Sequence, residues 1–568
     1  MKNQSSPEKI SSSRWWQSLG LSAIALASFM TPIMAQTLYF LYPPIKEPLR
    51  VESLDIFVQD GSVNKNLALF LKVAGTSESG QAKFREVLTK KAAVNPRMVS
   101  RFFNSKIGEA LLERTGKHIQ VEGGRNGKFA IRGALVAAAY DTEGLSLINF
   151  FRNLPTNIQF DLKEIINTAR NTKIVVKATK VFSEEVIPQL SAAEAADAEP
   201  VDFDNLPDLR QQGGLGFQQQ RWELVDTSRD SIRPDSPGRK FFVDVYRPER
   251  LREGQTPVIV ISHGLGSSPE NFAELAEHLA SYGYVIAVPQ HIGSDNLQQK
   301  DFLEGLSKEL FLVDEFINRP LDISYVIDEL ERRNDSEFDG RLATEKVGVF
   351  GHSFGGYTAL AVAGATIDFD NLEQECALGL GRINTSLLLQ CQALELERQE
   401  YDFRDDRIAA VLGHNPVNRS IFGPEGLSQI QVPTMIGAGS YDPATPFVFE
   451  QLSSFTWLTS PSKYLLLVEG QAHVDVSAID GGMSEVIESV EELTLPEPQL
   501  LRDYSRSTVL AFAEVYVADN AEYLPYLQSS YLDYLSQGQD FKSYLISEES
   551  SDDLVEAIEQ FRREERID

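Results

Sequence analysis

The segment GHSFGG at 351–356 constrains the fold of this chain more strongly than any other part of its sequence. It directly follows the apolar run VGVF and precedes YTALAVAGA, whose residues favour a helix. A G-x-S-x-G sequence between a strand and a helix predicts a sharp turn that exposes the serine hydroxyl at the carboxyl end of the strand. Gly351 and Gly355 leave room for the neighbouring strand and helix, so Ser353 is the candidate nucleophile.

A second glycine-rich turn, SHGLGSS at 262–268, follows the apolar run PVIVI. Attack of a serine on an ester carbonyl generates an oxyanion, which two preorganised backbone N–H groups stabilise. We expect Phe354, the residue after the nucleophile, to supply one N–H group and Leu265 to supply the other. An ordinary glycine turn is the alternative interpretation of this segment.

An acid and a base are expected after the nucleophile, in that order. Asp442 follows the predicted strand TMIGAG, whereas its competitors Asp475 and Asp480 lie in or beyond the histidine loop. His473, in GQAHVD after YLLLVEG, is the only histidine that follows Asp442 in the sequence. The order predicts that Asp442 orients His473, which takes the proton of Ser353.

Three other histidines lie close to these motifs. We interpret His263 and His352 as supporting or packing residues, and His291, after YVIAVPQ, as part of the pocket rim. The sequence holds no HExxH, Walker or dinucleotide-binding motif. We therefore expect ester hydrolysis through an acyl-enzyme, with neither a cofactor nor a metal ion.

Short apolar runs alternate with amphipathic helical segments through the second half of the chain. This pattern predicts a mostly parallel sheet with helices on both faces, and together with the serine turn it indicates the α/β-hydrolase fold. Residues 367–405 are expected to form a helical insertion or lid over the sheet. Strands are predicted at 241–246, 257–264, 284–290, 345–353, 408–413, 433–438 and 464–468.

Changes in composition and periodicity divide the chain into an N-terminal domain, a linker, a catalytic domain and a C-terminal extension. Helical periodicity broken by prolines and glycines predicts a small all-helical N-terminal domain over 45–180. Residues 191–220, rich in Ala, Asp, Gln and Gly, are interpreted as a linker. The catalytic domain is expected over 221–496, followed by a helical, acidic extension over 497–568.

The first 35 residues are typical of an export signal. Lys2, Lys9 and Arg14 precede a mostly apolar stretch, and Ala35 offers a cleavage site. We therefore expect an exported protein, periplasmic or secreted. The alternative is an uncleaved segment that anchors the protein in a membrane.

Cys376 and Cys391 are the only cysteines in the sequence. In an oxidising compartment such a closely spaced pair is a disulfide candidate, and two buried thiols are the alternative. The sequence has no CxxC motif or nearby histidine that would favour a metal site at these cysteines.

The acidic balance of the chain limits its partners. With 82 acidic against 53 basic residues, the formal charge of −29 repels nucleic-acid phosphates and anionic lipid surfaces. We expect a small-molecule or lipid ester as substrate and no nucleic acid, with proximity to a membrane surface as a further possibility. The sequence does not indicate the oligomeric state.

The segments SHGLGSS, AELAEHLASYGYVIAVPQH and VGVFGHSFGGYTAL resemble the platelet-activating-factor acetylhydrolase family. That resemblance implies phospholipase A2-type hydrolysis of short or oxidised acyl esters without calcium. It maps the triad of the family onto Ser353, Asp442 and His473, and its oxyanion donors onto Leu265 and Phe354.

This resemblance covers about 240–480, and the N-terminal part carries a different one. RFFNSKIGEALLERTG and AIRGALVAAAYDTEGLSLINFFRNLPT are similar to a group of α/β hydrolases of unknown function from photosynthetic bacteria, in which a helical domain precedes the hydrolase. That group implies no substrate.

Two rival functions stay open at the level of sequence. A general carboxylesterase or polyester-type hydrolase would use the same triad. A catalytically silent hydrolase fold that serves as a binding module would usually lack part of the triad or of the oxyanion turn, and the sequence contains all of these elements.

Overall fold

The computed structural model of the protein describes residues 37–73, 77–232, 236–377, 384–473 and 495–567. The signal or anchor expected at 1–35 lies outside these residues. Within them, no helix combines the length and the apolar character needed to cross a membrane. The chain forms two compact units, one of Met1–Ala92 with Gly116–Leu162, the other of Ala93–Thr115 with Lys163–Asp568.

The strands that the structure describes are β1 (Thr37–Tyr42), β2 (Ile45–Arg50), β3 (Ile119–Val121), β4 (Arg125–Asn126), β5 (Ile158–Asp161), β6 (Phe217–Asp226), β7 (Arg239–Pro248), β8 (Thr256–Ser262), β9 (Val285–Pro289), β10 (Leu342–His352), β11 (Ile408–His414), β12 (Thr434–Gly439), β13 (Lys463–Val468) and β14 (Ser543–Ser547). The described α-helices are α1 (Val51–Asp60), α2 (Lys65–Val73), α3 (Glu78–Thr89), α4 (Pro96–Phe102), α5 (Lys106–His118), α6 (Lys128–Tyr140), α7 (Leu147–Arg152), α8 (Leu162–Val181), α9 (Ile187–Asp197), α10 (Ala273–Ser281), α11 (Asn296–Glu304), α12 (Glu315–Glu337), α13 (Phe354–Val362), α14 (Phe369–Ala377), α15 (Leu387–Gln390), α16 (Arg419–Leu427), α17 (Phe447–Trp457), α18 (Pro498–Tyr516), α19 (Ser529–Leu535) and α20 (Ser551–Glu565).

The first unit contains a sheet, so the prediction of an all-helical N-terminal domain is wrong. Its strand order is β2-β1-β5-β3-β4, and β1 pairs with β5 in parallel, with Leu38 opposite Ile158. Both residues are fully buried. The strands are only two to six residues long, and β5 pairs with β1 and β3, which are distant in sequence, so local periodicity does not reveal the sheet.

The second unit is built on a nine-stranded sheet of order β14-β13-β12-β11-β10-β8-β9-β7-β6. The six strands β8 to β13 pair in parallel, while β6, β7 and β14 are antiparallel at the edges. The predicted α/β-hydrolase fold is confirmed, with every predicted strand in the sheet.

Alternate residues of the central strands face two apolar layers. On β8, Val258 and Val260 belong to one buried cluster, and Ile259 belongs to the other. Helices α12, α13, α16 and α17 contribute to the first cluster, and α10 and α18 to the second. A sheet covered on both faces explains why its strands are continuous apolar runs.

The predicted linker and C-terminal extension differ from the structure. Residues 191–197 complete α9, where Glu194 accepts a hydrogen bond from the backbone N–H of Ser547 at 2.9 Å, and Leu209 is fully buried. The segment rich in alanine is therefore a packed helix rather than a linker. The C-terminal residues are part of the hydrolase unit, because α18 covers one face of the sheet and β14 extends it.

The boundary of the N-terminal domain also differs from the prediction of 45–180. Ala93–Thr115 belongs to the hydrolase unit, where Arg101 Nη1 donates to the carbonyl of Phe302 at 2.9 Å and Ile107 enters the apolar core. Phe102 on α4 and Ile107 on α5 therefore pack against the hydrolase core.

Candidate active site

Ser353 lies in a sharp turn between β10 and α13. Its φ of 58° and ψ of −119° are uncommon for a residue with a side chain, and it is 7% exposed. A Cβ atom on Gly351 would lie 2.0 Å from the carbonyl oxygen of Gly355, and one on Gly355 would lie 2.0 Å from that of Ser262. The two glycines are therefore required by close backbone contacts around the serine.

The loops after β12 and β13 bring Asp442 and His473 to Ser353. His473 Nδ1 lies 2.6 Å from Asp442 Oδ2, and Nε2 lies 2.8 Å from Ser353 Oγ. Because a carboxylate only accepts, Nδ1 donates to Asp442, and Nε2 is free to accept the serine proton. This geometry suits removal of a proton from the serine hydroxyl.

The carboxylate of Asp442 is held by several donors. The backbone N–H groups of Ala444 and Thr445 donate to Oδ1 at 2.8 and 2.9 Å, and the hydroxyl of Thr445 donates to Oδ2 at 2.7 Å. Burial acts to raise the pKa of Asp442, but the hydrogen bonds from His473 and Thr445 outweigh burial, and the pKa lies below its usual value. Asp442 is therefore ionised at neutral pH. Thr445 was not singled out from the sequence.

The turn that contains Leu265 lies against the nucleophile. A Cβ atom on Gly264 would lie 3.2 Å from the Cβ of Ser353, so the two backbones approach closely. In the described parts of the chain, neither the N–H of Leu265 nor that of Phe354 donates to another backbone group. Both candidate donors are thus next to Ser353 and available to a substrate oxygen.

The remaining histidines are placed around these residues. His352 lies 4.9 Å from His473 between ring centroids, and its Nε2 lies 2.7 Å from the backbone oxygen of His473. Burial, together with His473 and His414, lowers the pKa of His352 to about 3, so it is neutral at pH 7. His291 is fully buried, so its predicted position at the pocket rim is wrong. His263, which is part of the oxyanion turn, is also fully buried.

The predicted lid contains the disulfide candidate. The structure joins Cys376, at the end of α14, to Cys391, which follows α15. Arg114 Nη2 lies 3.1 Å from Sγ of Cys391. The hydroxyl of Thr385 donates to the carbonyls of Pro443 and Ala444, so the described part of the lid contacts the loop that carries the acid.

A buried carboxylate, that of Glu450, binds the described part of the lid. Glu450 on α17 is fully buried and accepts from the amide of Asn384 at 2.7 Å and from the backbone N–H groups of Asn418 and Arg419 at 3.0 Å. No group of three or more His, Cys, Asp or Glu side chains in the described ranges is arranged to hold a metal ion.

Sequence reasoning also missed a charged cluster on α12. Glu315, Arg319 and Asp322 are fully buried on the same helix face as Phe316 and Ile323. Their spacing of three or four residues from apolar positions is a signal that they lie on the buried face of the helix. Buried charges of this kind occur near functional sites more often than elsewhere.

Family models match two separate parts of the chain. Residues 34–161 match the model of an alpha/beta hydrolase of unknown function (DUF1400), and residues 216–385 match that of Chlorophyllase. The second match includes Leu265 and Ser353 but ends before Asp442 and His473. No curated protein matches the chain significantly, and the family models do not bear on the resemblance to platelet-activating-factor acetylhydrolases. The sheet topology and both family models show that the chain has the α/β-hydrolase fold.

Proposed function

We propose that this chain hydrolyses carboxylic esters through an acyl-enzyme formed on Ser353. The observation that carries the proposal is the hydrogen-bonded series in which His473 bridges Ser353 at 2.8 Å and Asp442 at 2.6 Å. A nucleophile, a base and an orienting acid in this order are the groups that acyl transfer needs.

The mechanism uses each of these groups in turn. His473 Nε2 takes the hydroxyl proton while Ser353 Oγ attacks the ester carbonyl carbon, and Asp442 stabilises the imidazolium. The N–H groups of Leu265 and Phe354 stabilise the charge on the carbonyl oxygen, and loss of one such donor typically costs about 10² to 10³ in rate. The ester C–O bond then breaks, and the imidazolium gives its proton to the leaving alcohol. Water, deprotonated by the same imidazole, releases the carboxylic acid and restores the serine.

The substrate that we propose is a short-chain or lipid acyl ester. Its support is the resemblance of the serine and oxyanion motifs to platelet-activating-factor acetylhydrolases. Leu387 and Leu389 of the lid do not add to this support, because they are buried at 2% and 8% exposure and serve packing. A general carboxylesterase would use the same catalytic residues. Hydrolysis of a series of esters of different chain length distinguishes it from a lipid-specific hydrolase.

The ester of chlorophyll is a second candidate substrate. The family model named Chlorophyllase matches residues 216–385, which contain both the oxyanion turn and the nucleophile. Chlorophyll therefore belongs in the series of esters to be tested.

We also propose that the protein acts outside the cytoplasm. The basic and apolar start of the sequence and the disulfide between Cys376 and Cys391 support this location, since disulfides persist in oxidising compartments.

The test is hydrolysis of p-nitrophenyl esters from acetate to palmitate, of a phosphatidylcholine with a short sn-2 acyl chain, and of chlorophyll, without added metal. Ser353→Ala should lower kcat at least about a thousandfold, as expected for loss of a triad member. Ser336→Ala is the matched control, because Ser336 is exposed on α12 and should keep full activity. Equal traces of hydrolysis in the wild type and Ser353→Ala would refute the esterase and favour a silent binding module.

A further inference from the structure

Arg319 is a fully buried cation under the oxyanion turn. The nearby carboxylates of Glu315 and Asp322 pair with Arg239. The guanidinium of Arg319 instead donates to neutral oxygens: Nη1 to the carbonyl of His263 at 2.7 Å, Nη2 to that of Gly264 at 3.3 Å, and Nε to Ser294 Oγ at 2.9 Å. Burial of a charge is costly unless hydrogen bonds compensate it, and these three bonds hold the guanidinium in one position beside the oxyanion turn.

The carbonyl contacts of Arg319 fix the direction of the N–H group of Leu265. The Gly264–Leu265 peptide is trans, so its carbonyl and its N–H point in opposite directions. The carbonyl of Gly264 also accepts from His263 Nδ1 at 2.8 Å and from the N–H of Ser267 at 3.3 Å. With the carbonyl held towards Arg319, the N–H of Leu265 is directed away from it, at a turn that touches Ser353.

Arg319 contacts the second half of the oxyanion site as well. Its guanidinium carbon lies 4.4 Å from the ring centroid of Phe354, a cation–π distance. The following residue, Pro320, has no N–H to donate to the carbonyl of Phe316, and the hydroxyl of Tyr357 donates to that carbonyl at 2.7 Å. The helix that carries Arg319 is therefore tied to the helix that carries Phe354.

We propose that Arg319 is the positioning residue of the oxyanion hole, holding the backbone of Leu265 and the ring of Phe354 in the geometry that receives the substrate oxygen. This inference rests on the proposed esterase function and assigns to that site a residue outside its triad.

A second Ser-His-Asp series begins at Ser262, the first residue of the oxyanion turn. His291 Nδ1 donates to Asp322 at 2.9 Å, and the hydroxyl of Ser262 donates to His291 Nε2 at 2.9 Å. All three side chains are 0% exposed, so this series is structural rather than a second active site. The N–H of His291 also donates to His263 Nε2 at 3.0 Å, which leaves His263 Nδ1 protonated to hold the carbonyl of Gly264.

The test compares Arg319→Met with wild type in ester hydrolysis. Because removal of one buried charge can be strongly destabilising, the Tm of Arg319→Met is measured first to establish that the variant is folded. Its kcat should fall about 10²-fold, the loss typical of a missing oxyanion donor, while KM changes less than about threefold. Arg319→Lys, which keeps the charge but not the fork of donors, should recover part of kcat.

A transition-state readout separates positioning from a general loss of structure. An aryl trifluoromethyl ketone forms a tetrahedral adduct with a catalytic serine, and its Ki should rise by the same factor as kcat falls. Arg252→Met is the matched control: Arg252 also donates to a backbone carbonyl, that of Tyr282 at 2.8 Å, but its side chain bonds to Tyr282 and Glu514 rather than to the oxyanion turn. This control should keep kcat and Ki even where its Tm falls.

The outcomes distinguish the two proposals. One outcome would overturn only the role of Arg319: hydrolysis depends on Ser353, but the kcat and the ketone Ki of Arg319→Met stay within threefold of wild type. Another outcome would overturn both the esterase function and the role of Arg319: the wild-type protein hydrolyses no ester, and ¹⁹F NMR detects no ketone adduct at Ser353. Should Arg319→Met not fold, Ser294→Ala removes the contact to Nε together with the hydrogen bonds of Ser294 to Glu315 and to the carbonyl of His291, and an unchanged kcat and Ki in that variant would count against the proposal.

Discussion

The Nε2 atom of His352 lies 2.7 Å from the backbone carbonyl oxygen of His473. Because a carbonyl only accepts, this Nε2 carries the proton and donates it, and the ring of His352 is held against the loop of His473. His352 directly precedes Ser353 in sequence, so the hydrogen bond joins the serine turn to the histidine loop across 121 positions of the chain.

Loss of this hydrogen bond should misplace His473 relative to Ser353. We expect His352→Leu to lower kcat about 10-fold to 100-fold with little change in KM, since small displacements of catalytic groups have effects of this size. His352→Gln, whose amide can donate to the same carbonyl, should retain more activity than His352→Leu. Steady-state kinetics on one p-nitrophenyl ester checks this, and equal kcat values for wild type and His352→Leu would contradict it.

The ionised carboxylate of Asp442 should be essential to the orientation of His473. Asp442→Asn keeps the shape of the side chain but favours the wrong imidazole tautomer, so kcat should fall about 10³-fold to 10⁴-fold. Asp406→Asn is the matched control, because the Asp406 side chain is 90% exposed. A kcat for Asp442→Asn within tenfold of wild type would exclude Asp442 as the orienting acid.

The parts of this fold that local sequence predicts are those fixed by short-range patterns. The parallel strands β8 to β13 are buried on both faces and therefore appear as apolar runs. The serine turn has a glycine requirement that two close contacts explain, at Gly351 and Gly355. Chain order then limited the base to His473, and the structure brings it to Ser353 and Asp442.

The parts that sequence did not predict depend on distant partners. The pairing of β1 with β5 joins Leu38 to Ile158, and no local pattern indicates such a pair. The strand β14 is five residues long and lies within an otherwise helical tail. Arg319 was missed because its role depends on the carbonyls of His263 and Gly264, which only the folded chain places beside it.

The glycine at position 355 should tolerate no side chain. A Cβ atom there would lie 2.0 Å from the carbonyl oxygen of Ser262, so Gly355→Ala must shift the backbone of the sheet or of the nucleophile helix. We expect a loss of about 1 to 3 kcal/mol or more in the free energy of unfolding, with a strong loss of kcat.

Gly214→Ala is the matched control, because nothing lies within 4 Å of a Cβ at that position. Urea unfolding of both variants measures the difference. Equal midpoints for Gly355→Ala and Gly214→Ala would show that the contact around Ser353 is looser than the structure indicates.

The disulfide should stabilise the lid region against unfolding. The two cysteines are 15 positions apart, and closing a loop of this length stabilises a protein by on the order of 3 kcal/mol in the chain-entropy account. The double variant Cys376→Ala, Cys391→Ala should therefore have a lower urea midpoint than wild type, and a reductant should lower the wild-type midpoint in the same direction. The reductant should not affect the double variant, which lacks cysteine. A wild-type midpoint that the reductant leaves unchanged would contradict the prediction.

Buried neutral histidines should make the protein less stable in acid. Burial, followed by the charge of Arg506, lowers the pKa of His278 to about 4, and burial lowers those of His291 and His414 to about 4 as well. In the unfolded chain histidine titrates near 6.5. Between these values the unfolded chain binds protons that the folded chain does not, so stability is fully present above about pH 6.5 and falls as the pH drops towards 4.

His278 allows this effect to be measured away from the active site. It is fully buried on α10, where its ring lies 5.3 Å from that of Tyr282. His278→Leu removes one proton-binding group. The free energy of unfolding of the variant minus that of wild type should therefore be roughly 2 kcal/mol higher at pH 5 than at pH 7.5, which means that the variant is relatively more stable in acid. Urea unfolding at the two pH values measures this difference. The same offset between the two proteins at both pH values would mean that His278 does not resist protonation in the folded state, and that the acid sensitivity has another source.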